Sequence, residues 1–133
     1  MFRIIKNKRV DYELVNKNLE EFLSILKIIL QLLNKYGHNS QAKFIQKLID
    51  LINQQNIILF SKFVNGVDMW GGSGAVWEVS IENETEAKAF EDEILKLIGL
   101  MEQTEILGKG IKPIRKIFEN NQAGRDLLSR PFS

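Results

Sequence analysis

The sequence has no cysteine, two prolines and one histidine in 133 residues. Without cysteine there is neither a disulfide framework nor a thiolate zinc site, which suits a reducing compartment such as the cytoplasm. A single histidine, His38, leaves the common catalytic metal sets short of ligands. Long apolar runs are missing as well. The most hydrophobic stretch is interrupted by Lys27 and Gln31, well short of the roughly 20 residues that span a bilayer. The basic start, Met-Phe-Arg-Ile-Ile-Lys-Asn-Lys-Arg, is followed by no signal-type apolar core. The expectation is a soluble, unanchored cytoplasmic protein with no membrane partner. At 44% hydrophobic and 26% charged residues, the chain has the composition of one globular domain able to bury a core unaided.

The formal charge of +1 conceals a division along the chain. Residues 1–66 carry ten Lys/Arg against five Asp/Glu, residues 67–106 two against ten, and residues 107–133 six against two. An acidic middle between basic ends serves either internal pairing or a basic partner.

Periodicity predicts a mainly α, single-domain bundle of about five helices. Residues 1–10 read as an extended arm. Over 11–36, Val15, Leu19, Phe22, Leu23, Leu26, Ile29, Leu30 and Leu33 form one broad apolar stripe, and Gly37 stands where a left-handed cap belongs. Ile25, Ile28 and Leu32 form a second stripe. It marks either a helix central to the bundle or the seam of a homodimer. Ser40 reads as the N-cap of a helix over 41–53 carrying Phe44, Ile45, Leu48, Ile49 and Ile52, giving a helical hairpin. Asn56 can cap a third, shorter helix over 57–64, although so apolar a run also fits a buried strand. Asn83 or Thr85 opens a helix over 84–102 with Phe90, Ile94, Leu97, Ile98 and Met101 inward. Ile111, Ile114, Ile117 and Phe118 mark a last helix to Asn121, with Pro113 in its first turn, and 122–133 is a tail.

Between the hairpin with its short helix (11–64) and the C-terminal helix pair (84–121) lies a connector, 65–83. It holds both tryptophans and four of the nine glycines. Ala75, Trp77, Val79 and Ile81 alternate with more polar neighbours, the period of a half-buried strand, with Phe2–Ile5 or Val67–Trp70 as candidate partners. Gly72-Ser73-Gly74 opens like a dinucleotide fingerprint, but the third glycine would fall on Trp77 and no Gly-Lys-Ser/Thr follows. Gly108-Lys109-Gly110 also lacks the frame. Nothing here resembles a nucleophile elbow, and His38, just after Gly37, suits a helix C-terminus. No cofactor, metal site or catalytic residue is nominated. Lys109, Lys112, Arg115 and Lys116 lie at helical spacing without interleaved aromatics, which argues for a solvated or internally paired face over nucleic acid.

The run Trp70-Gly71-Gly72-Ser73-Gly74-Ala75-Val76-Trp77-Glu78, set between a helical hairpin and an acidic helix, resembles small bacterial helical proteins with a W-G-G-x-G-S-hydrophobic motif. Some of those are similar to immunity proteins that neutralise secreted toxins. The motif spans nine residues, and Ala75 stands where Ser or Thr is frequent in those proteins, so a capping hydroxyl does not carry over. The resemblance implies a non-catalytic protein-binding module with a basic, toxin-like protein partner. On that reading the partner-binding residues are Trp70, Trp77, Glu78, Glu82, Glu86 and Glu91. The alternative for the two tryptophans is that they close the core between the helix pairs, their ring N–H groups bonded to backbone carbonyls. The other readings are a homo-oligomeric structural or regulatory module and, third, a small-molecule-binding protein or enzyme.

Overall fold

The computed structural model describes residues 10–106 and 114–121. The chain is mainly helical, and no β-strand occurs among the described residues. Helices α1 (Tyr12–Lys17), α2 (Leu19–Lys35), α3 (Asn39–Asn53), α4 (Ile57–Val64), α5 (Val67–Trp70) and α6 (Glu84–Gln103) follow in order, and residues 114–121 are also helical. The N-terminal arm, the 122–133 tail, Pro113 and the Gly108–Gly110 break fall outside the described residues.

The first apolar stripe does not run through one helix. Asn18 divides it: its side-chain amide donates to the Leu14 carbonyl at 2.7 Å and its backbone N–H to Val15 at 3.0 Å, closing α1. The Asn18 carbonyl then accepts from Phe22 as α2 begins. The stripe survives because the break adds and removes no residue. Val15, Phe22, Leu26, Ile29 and Leu33 are all fully buried.

Helix α2 is the centre of the bundle and packs on α1, α3 and α6. Its second stripe is largely consumed inside the fold: Ile25 and Leu32 are buried, and Ile28 alone of the three is exposed, at 38%. The Phe22 and Phe60 rings meet edge to face at 5.1 Å, which ties α2 to α4. From α6, Phe90, Ile94, Leu97, Ile98 and Met101 enter the same cluster, which extends to Ile114 and Phe118. Each such fully buried side chain contributes about 1.5–3 kcal/mol. No helix among the described residues is long and apolar enough to cross a membrane.

Three helices end in the same way. After α2, Gly37 adopts φ 76°, and the His38 N–H reaches back to the Leu33 carbonyl at 2.9 Å. After α3, Gln55 (φ 58°) precedes an Asn56 N–H bonded to Leu51. After α6, Glu105 (φ 63°) precedes an Ile106 N–H bonded to Met101. Each is a Schellman-type close with one left-handed residue. Only the first uses glycine, so the other two hold a side chain in a conformation that disfavours it.

The starts are less uniform. Asn56 and Asn83 cap α4 and α6, accepting from the Leu59 and Glu86 backbone N–H groups at 3.3 and 2.9 Å. The short helix over 57–64 is therefore a helix and not a strand. For α3 the cap position is His38 rather than Ser40, because the Schellman close brings the chain directly into the next helix and the His38 carbonyl accepts from Ala42.

Candidate functional site

The Gly/Trp connector folds on itself and needs no strand partner. Val67–Trp70, one of the candidate strand partners, is the short helix α5. Ala75 donates to Gly72 at 3.0 Å, Glu78 to Ala75 at 3.2 Å and Val79 to Val76 at 3.2 Å, so Val76–Glu78 is a 3-10 turn. These local bonds, with the Ser80 carbonyl accepting from His38, pair part of the backbone that a lone strand would have left open. The strand is therefore absent, yet the expected alternation of burial survives with one exception, Val76: Glu78, Ser80 and Glu82 are exposed. The consecutive residues Ala75 and Val76 are both buried, Trp77 and Val79 are half-buried, and Ile81 is buried again.

The glycines of the motif have separate duties. Gly71 closes α5, its N–H donating to Val67 at 2.8 Å, and a Cβ there would stand 2.6 Å from the Val67 carbonyl oxygen. Gly74 sits at φ 89°, the left-handed region, with open space around it. A Cβ at Gly72 would meet nothing within 4 Å. Chain reversal accounts for Gly71 and Gly74 without a ligand.

The indoles divide the same way. Trp70 is buried, and its ring N–H donates to the Val64 carbonyl at 2.7 Å. Trp77 is half-buried, donates to the Gly71 carbonyl at 2.9 Å, and meets the Phe118 ring edge to face at 6.1 Å. Trp70 is thus a core residue, and Trp77 closes the loop from its outer side.

One corner of the bundle straps the connector down. Around the α2–α3 join, Gln41 donates to the Gly74 carbonyl at 3.0 Å and His38 Nε2 to the Ser80 carbonyl at 3.1 Å. Lys35 forms an ion pair with Glu86. The Lys35 ammonium holds the Glu86 carboxyl below the usual carboxylate range, chiefly through their hydrogen bond, and the same bond raises Lys35. Tyr36 is raised, first by burial and then by its hydrogen bond to Glu86.

On the side of Trp77, an open groove of about 470 Å³ runs between residues 77–81, α6 and the 114–121 helix. Its apolar walls include Trp77, Ile81, Phe90, Ile117 and Phe118, and its polar lining comes from Glu78, Ser80, Glu91 and Asn121. Of the six residues expected from the sequence to meet a partner, the structure brings three into this groove: Trp77, Glu78 and Glu91. Glu78 is exposed, whereas Glu91 is buried at 8% exposure. Trp70 lies in the core, Glu86 turns to Lys35, and Glu82 is exposed outside the groove lining. The aromatic and aliphatic walls from the last helix were read from the sequence only as core positions. Ile117 is 44% exposed, one residue from a buried Phe118.

Among the described residues, no three His, Asp or Glu side chains are grouped so as to hold a metal ion. The acids of α6 are partly engaged: Glu93 with Lys96 at 2.9 Å, Asp92 with Lys88 at 3.5 Å, and Glu102 with Arg115 of the last helix. The Arg115 pair is the internal pairing expected between the acidic helix and the basic group after it. Lys116 is exposed, and Lys109 and Lys112 lie outside the described residues. A second depression, about 300 Å³ between α2 and α3, is lined mainly by Asn34, Asn39, Lys43 and Gln46. Compared with known protein families, with curated proteins and with solved structures, the chain shows no match.

Proposed function

We propose that this chain is a non-catalytic protein-binding module of immunity type, acting in the cytoplasm, whose partner is a basic, toxin-like protein. What supports this reading is a set of exposed carboxylates: Glu78 in the lining of the Trp77 groove, and Glu82 and Glu84 following it in the chain. None of the three makes an ion pair among the described residues, whereas most of the other α6 acids have partners. Exposed charge of one sign beside a concavity of mixed polar and apolar lining speeds association with a partner of opposite sign, and the apolar part supplies affinity. The absence of cysteine suits the reducing compartment this reading requires.

Capture from the native host's lysate tests it. The wild-type chain should retain one basic protein in stoichiometric amount, released by raised salt. The triple variant Glu78→Lys, Glu82→Lys, Glu84→Lys should lose it while keeping its helical circular dichroism. Capture of no stoichiometric partner, or retention by the charge-reversed variant at wild-type level, would count against the proposal.

A further inference from the structure

The groove beside Trp77 combines two surfaces that are individually ordinary. An exposed aliphatic side chain such as Ile117 is common on any protein. This one borders a concavity of about 470 Å³ whose neighbouring walls are Trp77, Ile81, Phe90 and Phe118. That volume lies within the range of pockets that enclose organic groups. The Trp77 ring N–H is already bound to the Gly71 carbonyl, so the indole is fixed in place and offers the groove its apolar body. A fixed aromatic loses little freedom when something packs on it, which favours binding.

Among the described residues, the charged side chains that line the groove are acidic: Glu78, which is exposed, and Glu91, which is buried and already engaged. Glu82 and Glu84 continue the same sign along the chain towards α6. A purely apolar occupant would place hydrocarbon against the Glu78 carboxylate, and a bare cation would be desolvated against Ile81 and Phe90. A segment carrying both groups side by side satisfies both surfaces.

The geometry points to this groove as the docking site for a basic amphipathic segment of a partner protein. A large apolar side chain enters beside Trp77, Ile117 and Phe118, and a neighbouring Lys or Arg meets Glu78. This rests on the protein-binding reading and assigns the contact to Trp77, not Trp70. It also makes the last helix, through Ile117, part of the recognition surface. Anchoring by one large side chain against a few apolar walls, flanked by charge, is a common way for short segments to bind.

The probe is a short amidated peptide of Lys and Leu with one central Phe, compared with its counterpart carrying Glu for each Lys. Each is titrated into the full-length, 15N-labelled protein. The Lys peptide should shift the Trp77 indole N–H signal and the amides of residues 78–81 and 117–118, leave the Trp70 indole signal in place, and weaken with added salt. The Glu peptide should shift none of them. Ile117→Asp should weaken binding about tenfold, and Glu78→Lys severalfold. If the Lys peptide moves only the amides around Glu82 and Glu84 and ignores Ile117→Asp, the groove is not the site and the acidic-surface reading survives. Equal binding of the Glu peptide would overturn the charge requirement. Trp77 shifts that grow with protein concentration alone would assign the groove to a second copy of this chain. No shift at millimolar peptide would overturn the docking site and leave lysate capture to judge the protein-binding reading.

Discussion

Replacing each tryptophan by phenylalanine separates the core indole from the groove indole. Trp70 is 8% exposed, and its N–H is bonded to the carbonyl of Val64, itself fully buried. Trp70→Phe removes that bond, leaves the Val64 oxygen without its indole donor in a dry setting, and vacates the space of the outer part of the indole. The lost bond is worth about 1 kcal/mol net, and an orphaned buried acceptor adds about 1–3 kcal/mol. We expect a total destabilisation of about 2–4 kcal/mol, a large share of the stability of a domain this size. Trp77→Phe also loses a bond, to Gly71, but at a half-exposed site where water can replace the donor, so about 0.5–1.5 kcal/mol is expected. Guanidinium unfolding followed by far-ultraviolet circular dichroism is the suitable assay, since either substitution removes a fluorophore. The midpoints should separate with an unchanged slope. The thermal midpoint should fall by about 3–5 °C per kcal/mol. A Trp70→Phe cost below 1 kcal/mol, or equal costs for the two variants, would refute the assignment of Trp70 to the core and Trp77 to the loop's outer side.

Other substitutions probe the turns and the strap. Gly71→Ala should destabilise, because its Cβ would meet the Val67 carbonyl at 2.6 Å, while Gly72→Ala should change stability by less than about 0.5 kcal/mol in the same unfolding assay. Gln55→Gly and Glu105→Gly should each stabilise by about 1 kcal/mol by relieving a left-handed side-chain conformation, visible as a rise in thermal midpoint. Asn83→Ala should cost about 1 kcal/mol through loss of the α6 cap, with Asn83→Asp restoring most of it. The Glu86 carboxyl lies lower in the folded chain than in the unfolded one, so its contribution is present above the unfolded value near pH 4 and is lost as pH falls through the folded value. Glu86→Gln should therefore lower the urea midpoint at pH 7 and converge with wild type in strong acid. A difference that persisted there would mean that Glu86 acts through packing and not through Lys35.

Helix identity was legible wherever a periodic stripe met a cap residue of its own. Asn56 and Asn83 are both caps, Gly37 is the left-handed close of α2, and the five expected inward residues of α6 are buried. The break at Asn18 was not legible, because it preserves the stripe that signals a continuous helix. The closes at Gln55 and Glu105 escaped notice for want of a glycine, since backbone hydrogen bonds there outweigh the local preference of the residue. Residues 75–82 misled by composition. Apolar residues at alternate positions imply a strand only if the backbone bonds elsewhere, and here Gly72, Ala75 and Val76 accept those bonds locally. Of the six residues nominated from the sequence, three, Trp77, Glu78 and Glu91, line the groove. The wall from Ile117 and Phe118 depends on how the last helix lies against α6, which sequence spacing does not encode.

The strap at the α2–α3 corner also bears on how the chain assembles. Lys35, His38 and Gln41 belong to a hairpin built from near neighbours, which can form early, whereas their partners at Glu86, Ser80 and Gly74 arrive from more than thirty residues downstream. The hairpin is in effect a template on which the second half of the molecule is laid. The covalent joint between the halves, Gly72-Ser73-Gly74, is exposed. The two halves are held together by α2 against α6. In a molecule arranged in this way, the exposed Gly72–Gly74 loop is a place where the chain could be opened or extended with little disturbance to its core.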